Sequence, residues 1–491
     1  MAKATNSTAQ VSKINVRMYR AGTGDFFILQ FKKGNTVSFK MMIDCGCING
    51  SKENFEPLVN DLKTLTGGTI DLLVVSHEHA DHINGFERCK DIFDKFKFKK
   101  VWFAWTEDKD DPFANDLRAN HSKLGMALNT ATEKLNALVK NKHFETQFKN
   151  ELEGKFMLEG KKHFINSLTA LNALNVVKKT KPGKPLPTME DRLREWNVIK
   201  QDTEVEFLEP GDVRGDFAAA KGIKFFVLGP PKDIKLLSKE EKKGENFEKR
   251  EKKSTTDFAF LSALAEPGLE SDASRLPFEF EYESTNAYDP IQQLYNSSEW
   301  QKIDNDWLFS AGSLALKFEK SINNTSLALA IQFEDSEKVL LFPADAELGN
   351  WESWHNGLKW PVKIKGKTEQ KNAEYFLNKT VFYKVGHHLS QNGTAKGRGI
   401  EMMTSTEMAA MVTLDFKKIQ PGWLNTMPND FLGAELIRKS KGNVFFVGDR
   451  KKILPNIKTK RVNIKKTDEI ALNNANKKFD NKFFIDYEVS R

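Results

Sequence analysis

The sequence predicts an α/β fold, in which strands and helices alternate along the chain. Residues 70–75 form an apolar run interrupted at Asp71 alone, as expected of a buried strand. Residues 83–96 follow with the spacing of an amphipathic helix, and residues 101–105 form the next apolar strand. Alternation of this kind is typical of sheets layered with helices.

The elements before and after this unit extend the pattern. Three strands separated by glycine-containing turns are predicted between residues 16 and 44, and a helix at residues 57–65. A further helix begins at Ala346, and the tail to Arg491 continues the alternation. Further strands are predicted at residues 204–208, 223–228, 314–318, 327–333, 338–342 and 381–385.

Two stretches interrupt the alternation. Residues 107–200 are read as a helical insertion, because leucines and an alanine between residues 124 and 138 follow one helix face. Residues 232–304 begin with a dense run of mixed charge and are read as a second, loop-rich insertion. At about 150 residues per domain, the 491 residues would suggest three domains, but insertions in one domain have the same effect on length.

The composition excludes several classes of protein. A hydrophobic content of 39% excludes a disordered chain. The apolar runs are far shorter than the roughly 20 residues of a membrane span, so no membrane segment is expected. The polar N-terminal stretch does not have the apolar core of a secretory signal, and only 3 cysteines fit a reducing compartment. We therefore expect a cytoplasmic protein.

The net charge of +8 is concentrated in one place. Residues 450–466 contain eight basic residues and no acidic one, which accounts for the whole excess. Such a segment is suited to phosphates or to an acidic protein surface. A solvated strand edge guarded by lysines is an equally good interpretation.

The histidines are the most informative feature of the sequence. Five of the nine fall in two short motifs, SHEHADH (residues 76–82) and KVGHHLS (residues 384–390). The first motif directly follows the apolar strand at residues 70–75 and precedes a helix, which is where α/β sheets expose ligand sites. Imidazoles together with a carboxylate suit Zn²⁺, Mn²⁺ or Fe. A helix cap would explain Asp81 but not three histidines.

HxHxDH after an apolar strand resembles the signature of the metallo-β-lactamase superfamily. MIDCG (residues 42–46) is similar to the early aspartate motif of that family, and GTGD (residues 22–25) to a segment of its ComEC-like branch, the hydrolase domain of competence proteins. NNTSLALAIQF (residues 323–333), PADAE (residues 343–347) and GHHLS (residues 386–390) follow in that branch's order. The resemblance implies an αββα sandwich, with residues 1–491 as a single domain that carries the two insertions.

The resemblance also implies roles for individual residues. His77 and His79 would bind a first divalent ion, Zn or Mn, Asp81 and His82 a second, and Asp345 would bridge the two. One of His387 and His388 would complete the second ion's ligands, while the other orients substrate or donates a proton. Catalytic roles fall on Asp81, His387 and His388; Asp44 would support a ligand from behind; and Asn324, Ser326 and Ser390 are candidate substrate contacts.

The sequence departs from the family pattern at three points. Ala344 and Leu389 stand where the family has glycine. An intermediate histidine is missing near Asp233, which could replace it as a further ligand. Other candidates to replace it are His121, His143 and His163.

An acidic run, residues 107–111, follows the strand at 101–105 and contains Glu107 and Asp111. It could supply a general acid or cap a helix, and capping is the favoured interpretation.

These observations predict a dinuclear metal-dependent hydrolase, a phosphodiesterase or nuclease that uses a metal-bound hydroxide. Its substrate would be a nucleic acid or a nucleotide. One alternative is hydrolysis of an ester, lactone, thioester or β-lactam. Another is a metal-stabilised binding module that docks a protein partner.

Overall fold

The computed structural model describes most of the regular elements of the chain. The described residues are 9–140, 187–215, 217–239, 244–247, 321–416, 427–477 and 481–491, with single positions at 172, 174 and 242. The predicted strand at residues 314–318 and much of both predicted insertions lie outside the described residues, as do His143 and His163.

Strands begin near the N-terminus and recur as far as the last residues of the chain. In chain order they are β1 (Lys13–Tyr19), β2 (Phe27–Lys33), β3 (Thr36–Ile43), β4 (Thr69–Val74), β5 (Lys97–Ala104), β6 (Glu204–Leu208), β7 (Val213–Arg214), β8 (Ile223–Gly229), β9 (Ala328–Phe333), β10 (Val339–Phe342), β11 (Trp360–Ile364), β12 (Lys367–Lys371), β13 (Thr380–Lys384), β14 (Ala409–Val412), β15 (Val444–Phe446) and β16 (Phe484–Ser490).

The helices lie between these strands. They are α1 (Lys52–Thr66), α2 (Ala80–Arg88), α3 (Lys90–Phe93), α4 (Pro112–Lys140), α5 (Met189–Glu195), α6 (Ile234–Leu237), α7 (Leu348–Ser353), α8 (Ala373–Asn378), α9 (Asp430–Lys439), α10 (Arg450–Ile457) and α11 (Lys466–Lys477). Short 3₁₀ segments are found at Trp105–Glu107, Ala218–Ala220, Gly386–Leu389 and Ile400–Met402.

Within the described ranges, the strands form two seven-stranded mixed sheets and a separate β11–β12 hairpin. The first sheet has the order β16-β1-β2-β3-β4-β5-β6, and the second β15-β14-β13-β10-β9-β8-β7. Each sheet is parallel in one half: β3 to β6 in the first, and β10, β13, β14 and β15 in the second. The prediction of an α/β fold is thereby confirmed.

The core lies between the two sheets. One continuous apolar cluster takes side chains from both of them. Phe27 of β2 meets Phe342 of β10 edge to face with ring centroids 5.8 Å apart, and Trp102 of β5 meets Phe225 of β8 at 5.3 Å. Burying each such aromatic ring contributes about 2–3 kcal/mol, so this layer holds the sheets face to face.

The chain divides into two compact units. One comprises Met1–Arg118, Pro187–Lys252 and Glu319–Arg491, and contains both sheets; the other comprises Ala119–Leu186 and Lys253–Phe318. The boundaries predicted for the insertions, residues 107–200 and 232–304, stay predictions.

Several details differ from the sequence prediction. The helix predicted at residues 83–96 is two helices, α2 and α3, which meet at Cys89. The β11–β12 hairpin was not predicted, because β12 has no apolar residue and the apolar alternation of β11 covers only five residues. The three cysteines form no disulfide, and all three are buried. Among the described residues, no helix combines the length and apolarity needed to span a bilayer.

Candidate metal centre

Residues from both histidine motifs lie at the carboxyl ends of parallel strands. In the first sheet, Asp44 directly follows β3, and the loop after β4 carries SHEHADH. In the second sheet, Asp345 follows β10, and the histidines of GHHLS follow β13. Motifs far apart in the sequence therefore meet at one edge of the sandwich.

The backbone around α2 is fixed by close contacts with two loops. The Cys45 N–H donates to the His82 carbonyl at 2.7 Å, and the Asp25 N–H donates to the Asp81 carbonyl at 3.1 Å. Gly46 lies so close to the backbone of Asp81 and His82 that a side chain there would overlap it. These contacts hold the first turn of α2, which carries two of the predicted ligands.

Four buried side chains converge on one point. The donor atoms of Asp81, His82, Asp345 and His388 all lie within 4.8 Å of one another. Asp345 Oδ2 is 3.1 Å from His82 Nε2 and 3.0 Å from His388 Nε2. His388 Nε2 is also 3.1 Å from Asp81 Oδ2. We call these four residues the donor group.

The donor group fits a metal ion. Ligands about 2.0–2.1 Å from a tetrahedral Zn²⁺ lie roughly 3.3 Å from one another, close to the separations above. Asp81 Oδ1 and His82 Nε2 are buried atoms for which no hydrogen bond is formed within the described part of the chain. Buried polar atoms without a hydrogen bond are costly, and a cation would satisfy both.

A second cluster, Asp25, Asp44 and His82, is less suited to an ion. Asp44 Oδ1 accepts from the Ser76 N–H at 2.8 Å, and Asp44 Oδ2 accepts from the Ser76 hydroxyl at 2.6 Å. The carboxylate oxygens of Asp25 lie against Thr413 Oγ1 and Lys384 Nζ. These acceptors are already occupied, so this cluster supports the donor group rather than forming a site.

Asp44 orients the imidazole of His82. Its Oδ2 lies 2.8 Å from His82 Nδ1, while His82 Nε2 faces Asp345 on the other side of the ring. Burial raises the pKa of Asp44, and hydrogen bonds from His82 and Ser76 oppose that rise. A carboxylate that holds one ring nitrogen in this way leaves the other free to bind a metal. This is the position expected of Asp44 from the sequence.

Lys384 is a buried cation that the sequence analysis did not predict as part of the site. Its Nζ lies 2.6 Å from Asp25 Oδ2 and 3.1 Å from Asp345 Oδ1, and it donates to the Ala344 carbonyl at 2.9 Å. Asp345 therefore turns Oδ1 to the ammonium group and Oδ2 to the histidines. The signal in the sequence was a lysine at the end of an apolar strand, as the first residue of the second histidine motif.

Burial and charge act against each other on these groups. Burial opposes ionisation of Asp345, but His388, His82 and Lys384 hold the pKa of Asp345 well below its usual range. Burial also opposes the charged forms of His82 and His388, yet the surrounding carboxylates raise the pKa of both imidazoles. Without an ion, imidazolium groups balance the carboxylates, and a divalent cation would replace that positive charge.

His77 and His79 form a separate pair beside the donor group. His77 Nε2 lies 3.1 Å from His79 Nδ1, a separation that suits two ligands of one ion. Burial, with positive charge from His82 and His79, holds the pKa of His77 well below its usual range. Within the described ranges, no third His, Cys, Asp or Glu donor lies within 4.8 Å of both nitrogens. Among the residues that the structure describes, this pair is thus an incomplete ligand set.

The two adjacent histidines after β13 point to different neighbours. His388 belongs to the donor group, and its Nδ1 lies 2.8 Å from Thr413 Oγ1. His387 Nδ1 lies 3.3 Å from Glu347 Oε1, which also accepts from Asn323 Nδ2 at 2.9 Å. The geometry therefore separates their roles, which the sequence left open. It also adds Glu347 and Asn323 to the surroundings of His387.

The backbone at these strand ends is strained. Asp44, Ala344, His387, His388 and Leu389 all have positive φ, between 41° and 69°. The left-handed region costs a non-glycine residue about 1–2 kcal/mol, and such conformations cluster at functional sites. The resemblance implies glycine at positions 344 and 389, and glycine adopts positive φ without steric cost.

Two polar residues proposed from the sequence have other surroundings. Asp233 is exposed, joins neither cluster of donors, and caps α6 by accepting from the Lys235 N–H. Asn324 is fully buried and donates to the Leu237 carbonyl, and substrate contact by Asn324 stays a prediction.

The two serines proposed as substrate contacts are also buried. Ser326 Oγ lies 3.4 Å from His77 Nδ1, which makes Ser326 a neighbour of a predicted ligand. Ser390 donates to Asn392 Oδ1 at 2.7 Å. Both sit beside the centre, and substrate contact by either stays a prediction.

Residues of the acidic run act as caps. Asp111 Oδ1 accepts from the Ala114 N–H at 3.0 Å at the start of α4. Glu107 Oε2 accepts from the Met189 N–H at 2.8 Å, at the first residue of α5. These contacts fit helix capping, which was the favoured interpretation of this run.

Comparisons with known proteins do not identify the chain. No protein-family model, no curated protein and no solved structure matches it. Its likeness to the metallo-β-lactamase superfamily rests on the motifs of the sequence.

Proposed function

We propose that this protein is a metal-dependent hydrolase of the metallo-β-lactamase type that cleaves phosphodiesters. The observation that carries the proposal is the donor group, two carboxylates and two imidazoles buried at one edge of a two-sheet sandwich. A group of this composition suits Zn²⁺ or Mn²⁺. The order of the motifs along the chain supports the same family.

The ligand count suggests two ion sites of unequal strength. The donor group offers four ligands, whereas His77 and His79 offer two. A divalent cation at the donor group would supply Lewis acidity toward a phosphoryl oxygen and make water more acidic. The dinuclear centre expected from the sequence is therefore proposed as one strong site with a weaker neighbour.

The chain's own residues would support this chemistry. Asp44 keeps His82 Nε2 facing the centre, and Lys384 keeps Asp345 Oδ2 there. His387 lies beside the centre and is slightly exposed, at 7% of its surface, so that it could reach a bound substrate. We assign His387 the role of orienting the phosphodiester or passing a proton to the leaving oxygen.

A substrate panel tests the proposal. The full chain, loaded with Mn²⁺ or Zn²⁺, is assayed on DNA, RNA, a cyclic nucleotide, bis(p-nitrophenyl) phosphate, a lactone and nitrocefin. We expect hydrolysis of phosphodiesters, reduced at least 100-fold in His388→Ala and unchanged in His355→Ala. His355 is the matched control, because its ring bonds the Arg398 carbonyl away from the donor group.

Other outcomes would replace the proposal. Turnover of the lactone or nitrocefin without phosphodiester cleavage would move the chain to the ester, lactone, thioester and β-lactam hydrolases. If no substrate is hydrolysed and His388→Ala behaves as the wild type does, the remaining interpretation is a metal-stabilised binding module.

A further inference from the structure

The basic segment, residues 450–466, forms α10 and the loop that leads into α11. Ile453 and Ile457 are buried, and Ile457 packs on Gly433 of α9. Basic side chains occupy the opposite, exposed side. The strand-edge interpretation is therefore wrong, because the segment forms a helix followed by a loop, with its lysines exposed. The exposed lysines are Lys451, Lys452, Lys458, Lys460, Lys465 and Lys466.

The strand order places the start of α10 at the same edge as the donor group. Strands β13, β14 and β15 are parallel neighbours, so their carboxyl ends lie side by side. His388 follows β13, Thr413 follows β14, and Asp449 with α10 follows β15. Neighbouring strands are about 4.8 Å apart, so α10 begins roughly 10 Å across the sheet from the His388 loop.

Hydrogen bonds tie the far end of the basic segment to the same loop. The Asn429 N–H donates to the carbonyl of Leu389, the residue after His388, at 2.8 Å. The next residue, Asp430, accepts from Thr459 Oγ1 at 2.6 Å and from Arg461 Nη2 at 3.2 Å. Two short links thus join the histidine loop to the basic segment.

Much of the positive charge on this surface is not neutralised. Lys458 pairs with Glu469 and Arg461 pairs with Asp430. The remaining exposed lysines form no ion pair with any residue that the structure describes; they are Lys451, Lys452, Lys460, Lys465 and Lys466. A cluster of unpaired lysines attracts polyanions such as the phosphate backbone of a nucleic acid.

We infer that the basic segment binds the phosphate backbone of a polynucleotide whose cleaved phosphodiester lies at the donor group. This inference rests on the proposed function and narrows its substrate from phosphodiesters in general to polynucleotides. A nucleoside monophosphate or cyclic nucleotide carries a single phosphate, so with that phosphate at the donor group none is left for the lysines of α10 and the loop after it. A polymer reaches both.

Binding is tested first without catalysis. Fluorescence anisotropy measures the affinity of the full chain for a 30-nucleotide single strand in EDTA. The variant is K451Q with K452Q, and the charge-matched control is K363Q with K367Q in the exposed β11–β12 hairpin. We expect the Kd of the α10 variant to rise on the order of tenfold at 0.1 M salt, because each lost phosphate contact weakens the salt-dependent term. Its plot of log Kd against log salt should be shallower by about 1.4.

Cleavage is then compared on two substrates with the metal-loaded chain. The α10 variant should lose kcat/KM on the oligonucleotide, through KM, and keep its rate on bis(p-nitrophenyl) phosphate. Equal DNA affinity in the α10 variant and the wild type overturns the inference, and so does an equal loss in the control. Binding of poly-glutamate, lost in the α10 variant while DNA binding is unchanged, would assign the surface to an acidic protein. If the wild type binds DNA through α10 but hydrolyses neither substrate, the proposed function fails while the binding surface stands.

Discussion

Lys384 Nζ lies 3.1 Å from Asp345 Oδ1, and both side chains are almost completely buried. The same ammonium group lies 2.6 Å from Asp25 Oδ2. One internal cation therefore compensates two carboxylates and decides which oxygen of Asp345 faces the histidines. The negative charge at this edge of the sandwich is balanced from inside the protein as well as by any bound ion.

Replacing Lys384 tests this balance. Lys384→Met leaves Asp25 and Asp345 buried without their cation, so we expect the free energy of unfolding in EDTA to fall by about 3–5 kcal/mol. Urea unfolding measures it. Lys99→Met is the control, since it removes an exposed ion pair with Asp71 and should cost less than about 1 kcal/mol. Equal losses in the two variants would show that Lys384 is not an essential counter-ion.

Asp44 is expected to control metal affinity without binding the ion. Asp44 uses one carboxylate oxygen for the Ser76 N–H and the other for His82 Nδ1. Asp44→Asn keeps only one oxygen, so the amide cannot accept from both, and His82 loses its fixed orientation. We expect affinity for Zn²⁺ to fall about 10- to 100-fold. Competition with a chromogenic chelator measures this, and Asp71→Asn serves as an aspartate control distant in sequence. Unchanged affinity in Asp44→Asn would contradict the orienting role.

The two proposed ion sites should differ in affinity. The His77 and His79 pair has two donors, whereas the donor group has four, so metal titration of the wild type should show one tight and one weak step. His79→Ala should remove the weak step and His388→Ala the tight one. Isothermal titration calorimetry resolves the steps. Loss of the tight step in His79→Ala would show that the stronger site depends on the histidine pair instead.

Glu107 gives the protein a dependence on pH. Burial, together with the charge of Glu78, raises the pKa of Glu107 to about 7. The folded state then binds a proton more tightly than the unfolded state, so stability falls as the pH rises from about 4.5 to about 7. Glu107→Gln has no such group to ionise. The free energy of unfolding of the variant minus that of the wild type should therefore rise by up to about 3 kcal/mol from pH 5 to pH 8. Urea unfolding at the two pH values measures it, and a constant difference would refute the shift.

Much of the fold could be predicted from the sequence because its strands are buried on both faces. Apolar runs at residues 72–75 and 339–342 marked β4 and β10, and the glycine breaks marked the turns between β1, β2 and β3. The break between α2 and α3 had no such mark, since Cys89 and its charged neighbours, Arg88 and Lys90, include neither glycine nor proline. The β11–β12 hairpin was missed because the alternation of β11 is short and β12 carries no apolar residue.

The candidate site could be predicted only for residues whose type and spacing indicate metal binding by themselves. Histidines and aspartates in short motifs pointed to Asp81, His82, Asp345 and His388, which the structure brings together. Lys384 was overlooked because a lysine at a strand end is usually solvated, and only the tertiary structure buries it between two carboxylates. Asn323 and Asn324 are adjacent, and the sequence could not tell which one faces His387 and which one is buried against α6.

Metal content is the most direct test of the central claim. The wild type, Asp345→Asn and Asp233→Asn are loaded with Zn²⁺, dialysed against metal-free buffer and measured by mass spectrometry of the metal. Asp233→Asn is the matched control, because Asp233 is an exposed helix cap. With the fold verified by circular dichroism, at least one ion per chain should remain in the wild type and in Asp233→Asn, and none in Asp345→Asn. A wild type that retains no ion, or an Asp345→Asn variant that retains as much as the wild type, would contradict the account.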